Sequence, residues 1–291
     1  MSAPPLALVT VVHGRHDHLR GLLRGVRRQT RAPDVLVVVA MDDDEVPAIV
    51  DAELTRTDEC VTPRRPAPGA DAPDVRHVAL PRRDGRLPLA AARNLGAATA
   101  VAAGAEHLVH LDVDCVPSDD LVRRYGSVLR DVAVGPGPVV LCGDVAYECD
   151  PAEGPQAPRH HPARPALPPD AVRVVEDVTL FWSLSFAVTA ADLATVGGFD
   201  EQYVGYGAED TDVGQRLARA GGRLLFVGGA GAVHQWHPSP DPPVQHLADV
   251  VANANRFART WGWWPMEGWL EAFRERGLAR REPDGDWVVL P

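Results

Sequence analysis

No lysine occurs anywhere in the 291 residues, so all 29 basic side chains are arginine. That excludes a Schiff-base amine and the lysine of a Walker-type phosphate loop. Amid so much Ala, Gly, Pro and Val, the absence reads as GC-rich coding bias rather than as a mechanism. Positive charge is also outnumbered: 40 acidic residues leave a net charge of −11 and a pI near 5.4. A nucleic-acid groove, which needs a basic patch, is not expected. Cysteine is limited to four residues, at 60, 115, 142 and 149, in neither a Cys-x-x-Cys pair nor a zinc-ribbon spacing. Reduced thiols and a cytoplasmic setting are the expectation. The apolar run over residues 6–12 is too short for a signal core or a membrane span, and no basic segment precedes it, so no transmembrane segment is expected.

What is present is ordinary in amount, with 45% hydrophobic residues and enough length for one large α/β domain or two small ones. Residues 6–12 and 35–40 are continuous β-branched runs, expected as parallel strands buried on both faces. Between them Leu19, Leu22, Leu23 and Val26 form one apolar helical stripe, completing a βαβ unit. Its ligand site should lie beyond the carboxyl ends of the strands, where His13, Gly14 and the run Asp42-Asp43-Asp44 fall. An Ala-rich helix from about residue 89 stops at Gly104, and strands are expected at 75–80, 108–111, 139–147, 181–188, 223–227 and 231–233. Residues 55–74 and 151–169 read as exposed loops, the second, with its vicinal His160 and His161, as an irregular surface loop or a mobile lid. The tail, 244–260 and 266–276, reads as helical with an aromatic break at Trp261-Gly262-Trp263-Trp264. There is no internal repeat and no heptad.

Three polar clusters carry the chemistry. The first, His110-Leu111-Asp112-Val113-Asp114, puts two acids at a strand end, where they either solvate a loop or hold a hard cation such as Mg²⁺ or Mn²⁺. The second is Gly205-Tyr206-Gly207-Ala208-Glu209-Asp210-Thr211-Asp212, with two glycines permitting close backbone approach and three acids opening a helix. Acids in a first helical turn also serve as plain caps. The third is His234-Gln235-Trp236-His237, whose imidazole tilts a carboxylate site toward Mn²⁺.

These clusters, in this order, resemble the GT-A glycosyltransferases, in particular family 2-like enzymes with the C-terminal region of β-1,4-galactosyltransferases and chondroitin-type polymerases. The second cluster is similar to that family's Gly-Trp-Gly-Gly-Glu-Asp, the first to its Asp-x-Asp, and Arg93-Asn94-Leu95-Gly96 to its Arg-Asn-x-Gly helix. The resemblance implies an α/β, Rossmann-like GT-A domain over 1–240, with a nucleotide half to about 120 and an acceptor half beyond it. A helical extension would follow over 241–291. It further implies Asp114 and His234 as metal ligands, with His237 as a substitute, for Mn²⁺ or Mg²⁺. Asp112 would hold the ribose or a metal-bound water, Asp42 the base and Arg93 the diphosphate of a UDP-sugar donor, with His13 beside them. Asp210 would be the general base and Glu209 its neighbour at the acceptor. Tyr206 in place of the usual Trp, together with Trp182 and Asp212, would meet a carbohydrate or other hydroxyl-bearing acceptor.

Inverting transfer is the expectation, because a carboxylate on the far face of the sugar can deprotonate the attacking hydroxyl. A retaining transferase of the polypeptide type is the nearest alternative. A sugar-phosphate nucleotidyltransferase would need the phosphate loop and lysine this chain lacks. A non-catalytic sugar-nucleotide-binding module fits the fold but not the intact acids at 112, 114, 209 and 210.

Overall fold

In the computed structural model, which describes residues 3–56, 72–132, 135–283 and 285–291, both β-branched runs form the centre of a sheet. Strands β1 (Leu6–Val12) and β2 (Val35–Met41) are buried along their whole length. Side chains alternate across a strand, so Leu6, Leu8 and Val12 enter one apolar layer and Ala7, Val9 and Val11 the other. Helices α1 (His16–Arg27) and α2 (Val46–Thr55) cover the first layer. On the second layer, beyond the edge strand β3 (Asp74–Leu80), lies α3 (Leu89–Ala102), whose small face of Ala90, Ala92, Gly96 and Ala97 lets it sit close to β1 and β2. Strand β4 (His107–Leu111) then pairs in parallel with β1, aligning Val9 with His110.

The second half turns the sheet mixed. After the short β5 (Cys115–Pro117) and α4 (Leu121–Val132) come β6 (Val139–Tyr147), β7 (Arg159–His160) and β8 (Val172–Val175). Next are β9 (Ser185–Thr189), α5 (Ala190–Val196), α6 (Glu209–Arg219) and β10 (Arg223–His234). The strand order is β3-β2-β1-β4-β9-β6-β10-β5, with β9 antiparallel to both neighbours and β7 and β8 added on β6 and β10. The pairing of β5 with β10 matters most, because it sets Cys115 opposite His234 and joins Gln235 N–H to the Asp114 carbonyl at 2.7 Å.

Several expectations need correction. The two strands foreseen at 223–227 and 231–233 are one, β10, interrupted by a register shift between Val227 and Ala232. Residues 181–184 are not strand: a 3-10 turn at Val178–Leu180 precedes them and β9 begins only at Ser185. The 151–169 segment is partly built into the fold, since β7 pairs with β6 and the Arg164 side chain is buried, donating to the Gly143 carbonyl. Of the loop foreseen at 55–74, residues 57–71 lie outside the described residues. The tail is not wholly helical: α7 (Leu247–Trp261) and α8 (Glu267–Glu275) are followed by a hairpin of β11 (Ala279–Arg281) and β12 (Trp287–Val289). α7 braces the loop before α6, with the Asn253 amide donating to the carbonyls of Val204 and Tyr206 at 3.2 and 3.3 Å. No helix among the described residues is long and apolar enough to cross a membrane.

Candidate active site

Because β5 closes against the end of β10, the three polar clusters meet. The Asp114 Oδ2 lies 3.6 Å from His234 Nε2 and 3.4 Å from His237 Nε2, and the three possible ligand atoms fall within 4.8 Å of one another. Three atoms bound to one ion at about 2.1 Å would lie roughly 3–4 Å apart, so this donor set fits a divalent cation after small side-chain shifts. Burial holds the His234 imidazole below its usual range, against the pull of Asp114, which favours the neutral, ligating form. Burial disfavours the Asp114 carboxylate, but a hydrogen bond from His237 and the charges of His234 and Arg15 bring it below its usual range. His237, foreseen as a substitute for His234, thus joins it.

Arg15 was not foreseen. It caps α1 in a left-handed conformation, φ 53°, with its guanidinium 3.7 Å from Asp114. The signal for it was Gly14-Arg15 at a strand end. Asp43 is the acid that organises this corner: its carboxylate accepts the Gly14 N–H at 2.7 Å and faces His16 Nε2 at 3.0 Å. Asp42 is exposed instead, paired with Arg82 at 2.7 Å. Arg82 also reaches His13 Nε2 at 2.6 Å, while His13 Nδ1 lies 2.7 Å from the Met41 carbonyl. That pair of contacts sets the neutral tautomer with its proton on Nδ1. His13, Asp42 and Arg82 thus form one rim at the carboxyl ends of β1, β2 and β3.

Arg93, 5% exposed, is bonded at 3.1 Å to both Asp112 and Glu209. The two carboxylates raise its already high pKa further, so it is a permanent cation between them. Arg93 was expected on the diphosphate; its guanidinium is instead occupied in joining the Asp-x-Asp strand end to the start of α6. Burial pushes the Asp112 carboxyl up to about 6, Arg93 opposing and Asp114 adding to the shift. His110, in the same motif, stacks on Phe186 at 4.5 Å, and burial with Arg93 nearby drops it to about 3, leaving a neutral packing residue.

The loop before α6 explains its glycines. Gly205 and Gly207 have φ of 81° and 100°, and a Cβ at either would strike the Asp249 carboxylate or, at 2.9 Å, the Met266 sulfur. Ala208 follows at φ 74°, a left-handed alanine costing about 1 kcal/mol. Strain of this kind persists where surrounding structure enforces it. Asp210 enters the first turn of α6, where the Thr211 N–H meets its Oδ1 at 2.9 Å. The positive end of α6 favours an ionised Asp210, but burial and the adjoining Glu209 outweigh it and push the carboxyl up to about 7, against Arg93. Glu209 is 5% exposed and its Oε2 has no hydrogen-bond partner among the described residues.

Of the expected acceptor residues, Tyr206 is exposed and stacks on His246, ring centroids 4.6 Å apart. Trp182 is partly buried under the Arg164 guanidinium, 5.3 Å from its ring. Asp212 is turned inward. It is 3% exposed and accepts from Trp261 Nε1 at 2.8 Å, Arg216 Nε at 2.8 Å and the Tyr203 hydroxyl at 3.4 Å. The third acid is therefore a fastener between α6 and α7.

The family described as the N-terminal domain of galactosyltransferase matches residues 170–237, which run from β8 through the glycine-rich loop before α6 to His237. The validoxylamine A glucosyltransferase of Streptomyces hygroscopicus subsp. limoneus is 27% identical over 281 residues, covering 88% of this chain and 56% of the relative. The chain thus spans little more than half of that relative's length. Among solved structures, GalNAc-T7 with UDP, GalNAc and Mn²⁺ superposes with a TM-score of 0.54 at 16% identity, covering 94% of this chain and 54% of the other. The mannosyltransferase PcManGT from Pyrobaculum calidifontis, in complex with GDP-Man and Mn²⁺, gives 0.53 at 16% identity, covering 95% and 70%. The sheet order and these superpositions give the chain the GT-A fold, and its galactosyltransferase-type segment makes it similar to glycosyltransferases.

Proposed function

We propose that this chain is a metal-dependent, inverting glycosyltransferase that moves a hexosyl or N-acetylhexosaminyl unit from a UDP-sugar to an acceptor hydroxyl. The observation that carries the reading is the convergence of Asp114, His234 and His237, with Arg93 tying Asp112 to the start of the catalytic helix. Asp114, His234 and His237 would hold Mn²⁺ or Mg²⁺, which when bound supplies positive charge to the leaving diphosphate. The Mn²⁺ in the GalNAc-T7 and PcManGT structures supports that reading.

The chain's own groups divide the remaining work. The rim of His13, Asp42 and Arg82 grips the nucleoside, with Asp42 on the base, and Asp112 meets the ribose. Arg15, beside Asp114, adds charge toward the phosphates. Asp210 takes the proton of the acceptor hydroxyl, for which a carboxyl near 7 is better matched than an ordinary one. Glu209 Oε2 remains to accept a second acceptor hydroxyl. Attack from the Asp210 side, opposite the diphosphate, inverts the anomeric carbon.

The test is a panel of UDP-sugars assayed for hydrolysis and UDP binding with Mn²⁺, Mg²⁺ or chelator. Asp114→Ala and His234→Ala should each lose at least tenfold in metal-dependent affinity. Affinity equal to wild type in both variants, with and without chelator, would overturn the assignment.

A further inference from the structure

Arg164 is a buried cation with no part in the chemistry described so far. It is 6% exposed and forms no ion pair with any described residue. Burying a charge without a counter-ion is costly, and an apolar side chain of similar volume would fill the space at least as well. The charge therefore has a task that packing does not explain.

Its side chain reaches inward from a strap, residues 159–171, that is fixed at both ends. β7 pairs with β6 at one end, and at the other the Gly228 N–H donates to the Ala171 carbonyl at 2.9 Å. From the strap Arg164 donates to the Gly143 carbonyl at 3.2 Å and to the Trp182 carbonyl at 3.5 Å, with the Trp182 and Phe226 rings 5.3 and 5.1 Å away. Residues 181–184 belong to no strand, so no ladder fixes the direction of their peptides. The Trp182 carbonyl is held by Arg164 instead, and the Trp182 N–H faces the Cys142 sulfur. The far end of the same peptide unit is the Ser183 N–H, which in a trans peptide points away from that carbonyl. It meets Asp210. Burial and Glu209 push that carboxyl up to about 7, and Arg93 with hydrogen bonds from the Thr211 and Ser183 N–H groups opposes them. Ser183 is 4% exposed, so little water competes for the contact.

We propose that Arg164 is a positioning residue for the base: by holding the Trp182 carbonyl it sets the Ser183 N–H of the same peptide on the Asp210 carboxylate, and its charge polarises that peptide so that the N–H favours the ionised form. A strap that lies outside all three polar clusters thereby tunes the proton acceptor. The inference rests on the transferase reading for the role of Asp210, but the contact itself is read without turnover.

The charged and titratable groups that face Asp210 are Glu209 and Tyr206 on its own segment, Arg93 on α3 and Cys142 on β6. Arg93 stays charged, and Tyr206 and Cys142 keep their protons well above neutrality. Full-length labelled protein without donor is titrated by NMR, following the Asp210 side-chain carboxyl carbon and the Ser183 amide nitrogen, which should inflect together. In Arg164→Met the midpoint should rise by about one unit, and Arg164→Lys, which keeps the charge, should recover at least half of that rise. Transfer should follow, with kcat/KM on the acid limb about tenfold lower in Arg164→Met and the high-pH plateau within about threefold of wild type. UDP binding with Mn²⁺ is the control and should stay at the wild-type value. Should Arg164→Met not fold, Arg164→Gln, which keeps a donor and loses the charge, takes its place with a rise in the same direction. A midpoint equal to wild type in the folded neutral variant, an equal rise in the lysine variant, or a Ser183 amide that does not follow the carboxyl overturns the proposal. Absence of transfer by wild type at every pH would instead sink the transferase reading, while the midpoints are still read independently.

Discussion

Asp210→Asn separates catalysis from binding and makes a second, opposite prediction about stability. The carboxyl lies near 7 rather than the ordinary 3.8, a rise of roughly three units caused by burial and by Glu209, against Arg93. At about 1.4 kcal/mol per unit, ionising Asp210 within the fold costs up to about 4 kcal/mol relative to the unfolded chain. Because the folded value is the higher one, this group's contribution to stability is fully present below about pH 4. It is lost as pH rises through about 7. Asparagine keeps the shape and never ionises, so the variant should exceed wild type in stability at pH 8, and the gap should close toward pH 5.

Activity should move the other way. General-base assistance is worth about 10² to 10⁴-fold, so transfer by Asp210→Asn should fall by that order while UDP-sugar binding holds. In wild type, log(kcat/KM) should climb with pH and level off above about 7, because only the ionised carboxylate accepts the proton. Glu209→Gln removes a neighbouring negative charge and should slide that limb to lower pH. The assays are transfer from pH 5.5 to 8.5, calorimetric donor titration and thermal melts at both ends of the range. A variant that transfers at near wild-type rate, or that fails because donor no longer binds, would refute the assignment and turn attention to Glu209.

The buried Asp212 should behave as a fastener. Asp212→Ala strands the Arg216 guanidinium and Trp261 Nε1 and should cost about 3 kcal/mol, read as a fall in Tm without any change in acceptor KM that thermal stability does not explain; a stable variant with an altered acceptor KM would restore it to the acceptor site. Residues 151–159, exposed around the only 3-10 turn of that segment, are expected to close over bound donor while Arg164 stays anchored. Limited proteolysis there should slow when UDP and Mn²⁺ are added, and equal cleavage with and without them would count against a lid.

Long apolar runs told their own story in the sequence, and short or shared features did not. β1 and β2 were legible because seven β-branched or apolar residues in a row admit one environment, a buried strand. β5 has three residues and no period to detect, yet it carries Asp114 to the end of β10. The glycine pair at 228 and 229 read as a break, whereas the strand passes through it with a shift of register. Among the candidate site residues, motif order singled out Asp210, Asp114 and His234, and the fold does bring Asp114 and His234 together. Which acid of a run does which task was not: Asp43 rather than Asp42 binds the Gly14 backbone, and Asp212 turns inward because Trp261, far along the chain, reaches it. Identical side chains two residues apart on a helix or turn face different surroundings, and only tertiary packing says which.

The same packing accounts for the charge arrangement of the site. Asp112, Asp114, Glu209 and Asp210 bring four carboxylates together, and the guanidiniums paired with this group are Arg93 and Arg15. Burial first, and neighbouring carboxylates second, hold Asp112 and Asp210 well above ordinary values, while Asp114, beside Arg15 and two imidazoles, is brought below. Such a balance favours a divalent cation at Asp114 and leaves Asp210, at the far end of the Arg93 bridge, as the carboxyl able to take up a proton near neutral pH. Arg93 fixes that division of labour: it offsets Asp112 and Glu209 directly and reaches Asp210 only through space. In the proposed reaction, metal binding and proton acceptance would thus fall to different acids through the position of one arginine, on a helix whose small residues let it sit against β1.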